Sequence, residues 1–295
     1  MQTPRLSVIL VVAASLFTAV IGPAKIALKE KSSSSHDLKI SGDVPGMPPG
    51  AVRYISHEQL SALPQVNFNV TDDFNFKTPT QITGVYLSDL MRDLNVPEKG
   101  MIVAAICDDE YEAHYSEDYI EAHKPILVLR LNGQPLAEHV RTRDDGIFGP
   151  YLISHASYQP RYHILAHAEE AQIPNGLVEL RFLKQNLVLD SIRLHGSFAE
   201  DAPETRGYRI ARESCFRCHN SGEYGGHKSG RSWQTLARLA QSNPAGFAAY
   251  IKDPQSQDAA AQMPANPEYD DATLHALTAY FQTFAAASVK KPASK

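Results

Sequence analysis

Cys215-Phe216-Arg217-Cys218-His219 sets two thiols three positions apart, with an imidazole directly after the second. Thiols at this spacing can add to the two vinyl groups of a haem, and the following His then lands beneath the iron. This is the c-type attachment signal. Two other chemistries use a CxxC pair. Structural zinc needs further thiol or imidazole ligands in a second pair, and the remaining cysteine, Cys107, lies more than a hundred residues upstream. A dithiol redox motif has no use for the following His. The pentapeptide therefore points to one covalently held haem c.

What such a haem does depends on its second axial ligand. An electron carrier closes the face opposite His219 with a Met thioether or a second His, and Met raises the potential. The chain has five Met, and Met1, Met47, Met91 and Met101 all precede the motif by more than a hundred residues. Met263 follows His219 by 44 residues, in Ala261-Gln262-Met263-Pro264, just before a helical stretch. The plainer alternative is a Met that fills a gap in the core. His227 and His275 compete as sixth ligands. His227 sits close to His219 in a loop rich in Gly (Gly222, Gly225, Gly226, Gly230), and His275 follows Leu274 on the final helix. The favoured pair is His219 and Met263, which leaves the iron no open position.

Residues 201–288 resemble a class I cytochrome c, an all-α domain. Gly207-Tyr208 precedes Cys215 at the distance where that family's first helix crosses its last. Leu274, Leu277, Phe281 and Phe284 recur at three- and four-residue intervals and so line one helical face, with Tyr280 beside them. Pro244 to Ile251 predicts a short helix, opened by Ser242-Asn243 ahead of a first-turn Pro and stopped at Asp253-Pro254. The resemblance implies haem c on Cys215, Cys218, His219 and Met263, with His219 and Met263 as iron ligands. It also implies single-electron transfer. Arg231 and Trp233 are candidates for holding the propionates.

These 88 or so residues are a minority of the 295, and length alone favours about two domains. Hydrophobic residues make up 43% of the chain, enough for two cores, and the net charge of −5 argues against a nucleic-acid partner. Arg206, Arg209, Arg212, Arg217, Lys228, Arg231 and Arg238 crowd the haem motif. Such a collar could steer an acidic redox partner, or be ordinary solvated side chains. Leu6 to Ala24 is an uncharged run long enough to cross a bilayer, and Gly22-Pro23-Ala24 ends in a small residue that a signal peptidase could accept. Residues 1–31 are read as a membrane anchor, with a cleaved signal as the alternative. Either sends the remainder to a bacterial periplasm, the side where c-type haem is attached. Residues 32–50, with Ser32 to Ser35 and the Pro/Gly-rich Gly42 to Gly50, are read as a flexible tether.

Residues 51–198 carry a mixed pattern and predict an α+β domain with a largely β core. Ser56-His57-Glu58-Gln59-Leu60 has the form of a capped helix start. Met101 to Ile106 and Ile126 to Leu131 are short apolar runs, the second followed by Asn132-Gly133, a strong hairpin signal. Leu177 to Phe182 and Leu187 to Leu194 alternate as strands do.

Several phrases here resemble the molybdopterin-binding fold of the sulfite oxidase family. Thr83-Gly84-Val85-Tyr86-Leu87-Ser88-Asp89-Leu90 is similar to its "TGVPLxDLL" segment, and Cys107-Asp108-Asp109-Glu110-Tyr111 stands where the family has "SDGY". Leu129 to Leu136 matches "LxxNGxPL", and Gly149-Pro150 the later Gly-Pro. In that family the molybdenum-binding cysteine lies upstream of the TGV segment, and here Asn67 to Gln81 contains no cysteine. Cys107 belongs to another phrase and is read as a buried free thiol. Molybdopterin is therefore not expected, and the domain is taken as a cofactor-free relative that serves for docking. His163 and His167, four apart, could share a metal on a helix, but no third ligand of obvious spacing accompanies them. No Gly-rich phosphate loop, GxSxG elbow or HExxH is present.

The expectation is an exported, membrane-anchored monohaem cytochrome that exchanges electrons with a dehydrogenase, an oxidase or another cytochrome, not a catalyst on its own. The alternatives are a haem-containing molybdenum oxidoreductase and a haem-based sensor or assembly module.

Overall fold

The computed structural model describes residues 26–71, 73, 75–136, 149–158 and 171–287. The apolar run from Leu6 to Ala24 and the His163/His167 pair lie outside the described residues. Among those described, no helix is long and apolar enough to cross a membrane.

The first part of the chain alternates strands and short helices: β1 (Leu38–Gly42), β2 (Arg53–Ile55), α1 (His57–Ala62), β3 (Val66–Val70), β4 (Thr80–Tyr86), α2 (Leu87–Asp93), β5 (Met101–Cys107), β6 (Glu112–Ser116), α3 (Glu117–His123), β7 (Ile126–Leu131), β8 (Gln134–Pro135), β9 (Tyr151–Ser154), β10 (Asn175–Lys184) and α4 (Gln185–Asp190). Only helices follow: α5 (Pro203–Ile210), a π-helical turn (Ala211–Cys215), α6 (Trp233–Ser242), α7 (Pro244–Lys252), α8 (Pro254–Gln257) and α9 (Asp271–Ala287). The protein thus has a large sheet in its first part and helices in its last.

The sheet branches at β10. This strand pairs in parallel with β1 and antiparallel with β5 and β9. From β9 the order runs on through β7 and β4 to β3, and from β5 to β6. The apolar runs expected as strands are β5 and β7. Asn132 (φ 49°) and Gly133 (φ 81°) make the tight turn between β7 and β8, both left-handed as such a hairpin needs. Ser56 caps α1 with the reciprocal Gln59 contact anticipated from the sequence.

Two expectations are corrected. The tether read over residues 32–50 contains β1, whose Leu38 and Ile40 are fully buried. Pairing with β10 satisfies its backbone, and Lys39 reaches Glu179 at 2.6 Å. The segment before it is also attached, because Lys29 and Tyr54 exchange backbone hydrogen bonds at 2.9 Å. Leu187 to Leu194 is not a strand. It begins inside α4, where Val188 is buried while Leu187 is 48% exposed, and runs on into the turn after it, where Ile192 is buried. The apparent alternation was a helical face sampled over too few residues.

The core falls into three clusters. One lies on each face of the sheet, and the third fills the helical part. Neighbours in β5 point to opposite sides, so Val103 joins the sheet's core and Ile102 the helical one. Val188 and Ile192 also pack with the helices, so the helical core extends back across the expected boundary near residue 198.

Candidate functional site

Gly207 lets α5 and α9 cross closely. A Cβ built there would stand 2.0 Å from the Ala276 carbonyl oxygen and 2.7 Å from Tyr280 Cβ. Leu274, Leu277, Tyr280, Phe281 and Phe284 turn inward from α9 to meet it. Asn243 caps α7 by accepting from the Gly246 amide at 3.0 Å. This frame carries the π-helical turn that delivers the cysteine motif.

Within the motif the chain coils tightly, and the amides of Cys218 and His219 both donate to the Cys215 carbonyl. The following loop folds back over it: Gly226 N donates to Phe216 O and Ser229 N to Cys218 O, each at 2.9 Å. Only glycine permits that return, because a Cβ at Gly226 would sit 1.9 Å from the Arg217 carbonyl oxygen. Cys215 and Cys218 are half-buried thiols.

His219 is 8% exposed, and its Nδ1–H donates to the Arg231 carbonyl at 2.6 Å. That bond fixes the tautomer and the ring's orientation and leaves Nε2 as the nitrogen that could ligate a metal. Burial pushes the imidazole pKa below its ordinary value, against the opposing hydrogen bond to Arg231. The ring is thus kept in the neutral form that binds iron. Two thiols, an oriented neutral imidazole and a glycine-lined return loop suit a covalently held haem.

Met263 is half-buried and packs against the same apolar cluster as Cys215. Its loop is held by Gln255, whose Nε2 donates to the carbonyls of Ala261 at 3.0 Å and Met263 at 2.9 Å. Asn266 ties the far end to the Lys252 carbonyl. Of the competing ligands, His275 is exposed on α9, and His227 is exposed with its amide donated to Glu110 O. Trp233 is fully buried and its indole N–H donates to Tyr280 Oη at 3.2 Å, so that donor is spent inside the core. Arg231 lies over the Tyr250 ring.

The basic collar is partly neutralised from within: Arg209 pairs with Glu200, Arg212 with Glu213, and Lys228 with Asp109. The last pair crosses to the sheet, a contact that reading the sequence did not anticipate. Glu112 N of β6 donates to Arg217 O at 2.9 Å, His227 N donates to Glu110 O, and the ring of His114 stacks on Phe216. Gln172 Nε2 also reaches Glu213 Oε2 at 3.0 Å. No local sequence pattern marked this contact, although Glu110 in the turn before β6 takes a left-handed φ of 66°.

Cys107 is buried at the end of β5, and burial, reinforced by Asp109 and Asp108, pushes its thiol pKa up. Among the described residues no group of three or more His, Cys, Asp or Glu could hold a metal ion.

Helices that cross at Gly207, with the cysteine–histidine motif between them, define a cytochrome c domain, a class that carries haem c and moves electrons to and from protein partners. Residues 202–281 match the family described as cytochrome C oxidase, cbb3-type, subunit III. The match lies in the helical part and does not extend into the sheet. No curated protein matches the chain.

Proposed function

We propose that the chain is an exported monohaem c-type cytochrome, anchored to the membrane by its first residues, that relays single electrons with iron held by His219 and Met263. The observation that carries this reading is His219, buried beside two thiols with Nδ1 committed to Arg231. The family matched over residues 202–281 is named for an oxidase subunit, and an oxidase or another cytochrome suits the partner. The sheet domain, with its phrases similar to the sulfite oxidase family and no cysteine from Asn67 to Gln81, is assigned a docking role without molybdopterin. Export rests on the uncharged run from Leu6 to Ala24 and on the need to attach haem outside the cytoplasm.

The test is the full chain purified from membranes of a host that attaches c-type haem. One haem per chain, a one-electron redox titration and no molybdenum on elemental analysis are expected. Absence of haem defeats the proposal, and stoichiometric molybdenum defeats the role given to the sheet domain.

A further inference from the structure

Arg217, between the two cysteines, is the residue of the motif most engaged by the sheet. Its carbonyl accepts from Glu112 N at 2.9 Å, and its guanidinium Nη2 donates to the Ala171 carbonyl at 3.3 Å. It also bonds the Tyr111 phenol, whose pKa burial pushes up to about 12 against the opposing Arg217 charge. Phe216 beside it is stacked under His114, so the backbone there is held on two sides.

The surrounding charges are largely committed elsewhere. Asp109 is paired with Lys228, Glu112 Oε1 with His114 Nε2 at 2.8 Å, and Glu213 with Arg212 Nε at 2.7 Å. Arg217 directly precedes Cys218 in the chain, and the other nearby cation, Lys228, is paired with Asp109. A guanidinium does not lose its proton in a protein. An oxidised haem carries one more positive charge than a reduced one, so a cation fixed at its edge favours the reduced form. Partial exclusion of water strengthens that effect.

We propose that Arg217 is a positioning residue through which the sheet both holds the haem motif and raises its reduction potential, its backbone held by Glu112 and its charge by Ala171 and Tyr111. The inference rests on the haem reading above.

The experiment compares full-length holoprotein of the wild type, Arg217→Gln and Arg217→Lys. Haem content is measured first, then midpoint potential by spectroelectrochemical titration. Arg217→Gln is expected to lower the equilibrium constant for reduction about tenfold, which for one electron is about 59 mV. Arg217→Lys, which keeps the charge, retains most of the wild-type potential. An independent variant, Asp109→Asn, removes the opposing carboxylate, and its potential rises. Full haem content with an unmoved potential in Arg217→Gln overturns the inference, as does an equal fall in Arg217→Lys. An Asp109→Asn potential that does not rise overturns it even where the Gln variant fails to load haem. A wild type without haem defeats the underlying reading instead.

Discussion

The rings of His114 and Phe216 lie stacked, with centroids 4.6 Å apart and planes inclined by 24°. One belongs to β6 and the other stands between the two cysteines, so the sheet touches the haem motif itself and not only the outside of its domain. His114 also bonds Glu112 at 2.8 Å in a place where both side chains are buried.

Replacing His114 with Ala removes the stack and strands the Glu112 carboxyl. Leaving a buried polar group without its partner, together with the lost packing, costs on the order of 3 kcal/mol. Urea denaturation of the full chain checks this. A loss under about 1 kcal/mol shows that the contact does not hold the two parts together.

At Gly207 the space for a side chain is absent, since a Cβ would meet the Ala276 carbonyl oxygen at 2.0 Å. Gly207→Ala forces α5 and α9 apart and is expected to destabilise the helical domain by about 1–3 kcal/mol. Denaturation followed by haem absorbance reads the effect. An unchanged midpoint means that the helices do not cross as closely as described.

Glu179 links stability to acid. Burial alone would raise its carboxyl pKa, but hydrogen bonds from Lys39 and Ser41 and the Arg181 and Lys39 charges outweigh it and hold the pKa below its ordinary value. A carboxylate with a folded pKa below its unfolded one stabilises the protein above the unfolded pKa, and that contribution fades as pH falls through the folded one. Stability should therefore decline below about pH 4.5. Glu179→Gln should be less stable than wild type at pH 7, with the gap narrowing in acid. A gap of constant size from pH 7 to pH 3 counts against the linkage.

Under the proposed His219–Met263 ligation, carbon monoxide should bind the reduced wild type poorly and Met263→Ala readily. The sulfur-to-iron absorption band of the oxidised form should vanish in that variant. Rapid binding of carbon monoxide to the wild type would point instead to an exchangeable sixth ligand and a sensing role.

Cys107 offers a check on covalent attachment. Its thiol is buried and its pKa raised, and only the thiolate reacts, so alkylation of the folded holoprotein should be negligible. After denaturation one thiol per chain should react, because Cys215 and Cys218 would be thioethers. Three reactive thiols would exclude covalent haem.

Some of this protein was decided by sequence alone. The cysteine–histidine spacing, the inward face of α9, the close crossing at Gly207 and the Asn132-Gly133 turn were legible because each depends on local period, local handedness or the absence of a side chain. Tertiary structure decided the rest. Leu38–Gly42 looked like part of a tether because so short a segment, flanked by Ser and by Gly and Pro, shows its burial only when β10 arrives beside it from some 140 residues away. Leu187 to Leu194 imitated a strand until packing chose which residues to bury. The meeting of Glu112 with Arg217, and of His114 with Phe216, joins segments about a hundred residues apart. No local pattern encodes such a pairing, since it exists only once the sheet and the helical part pack against each other.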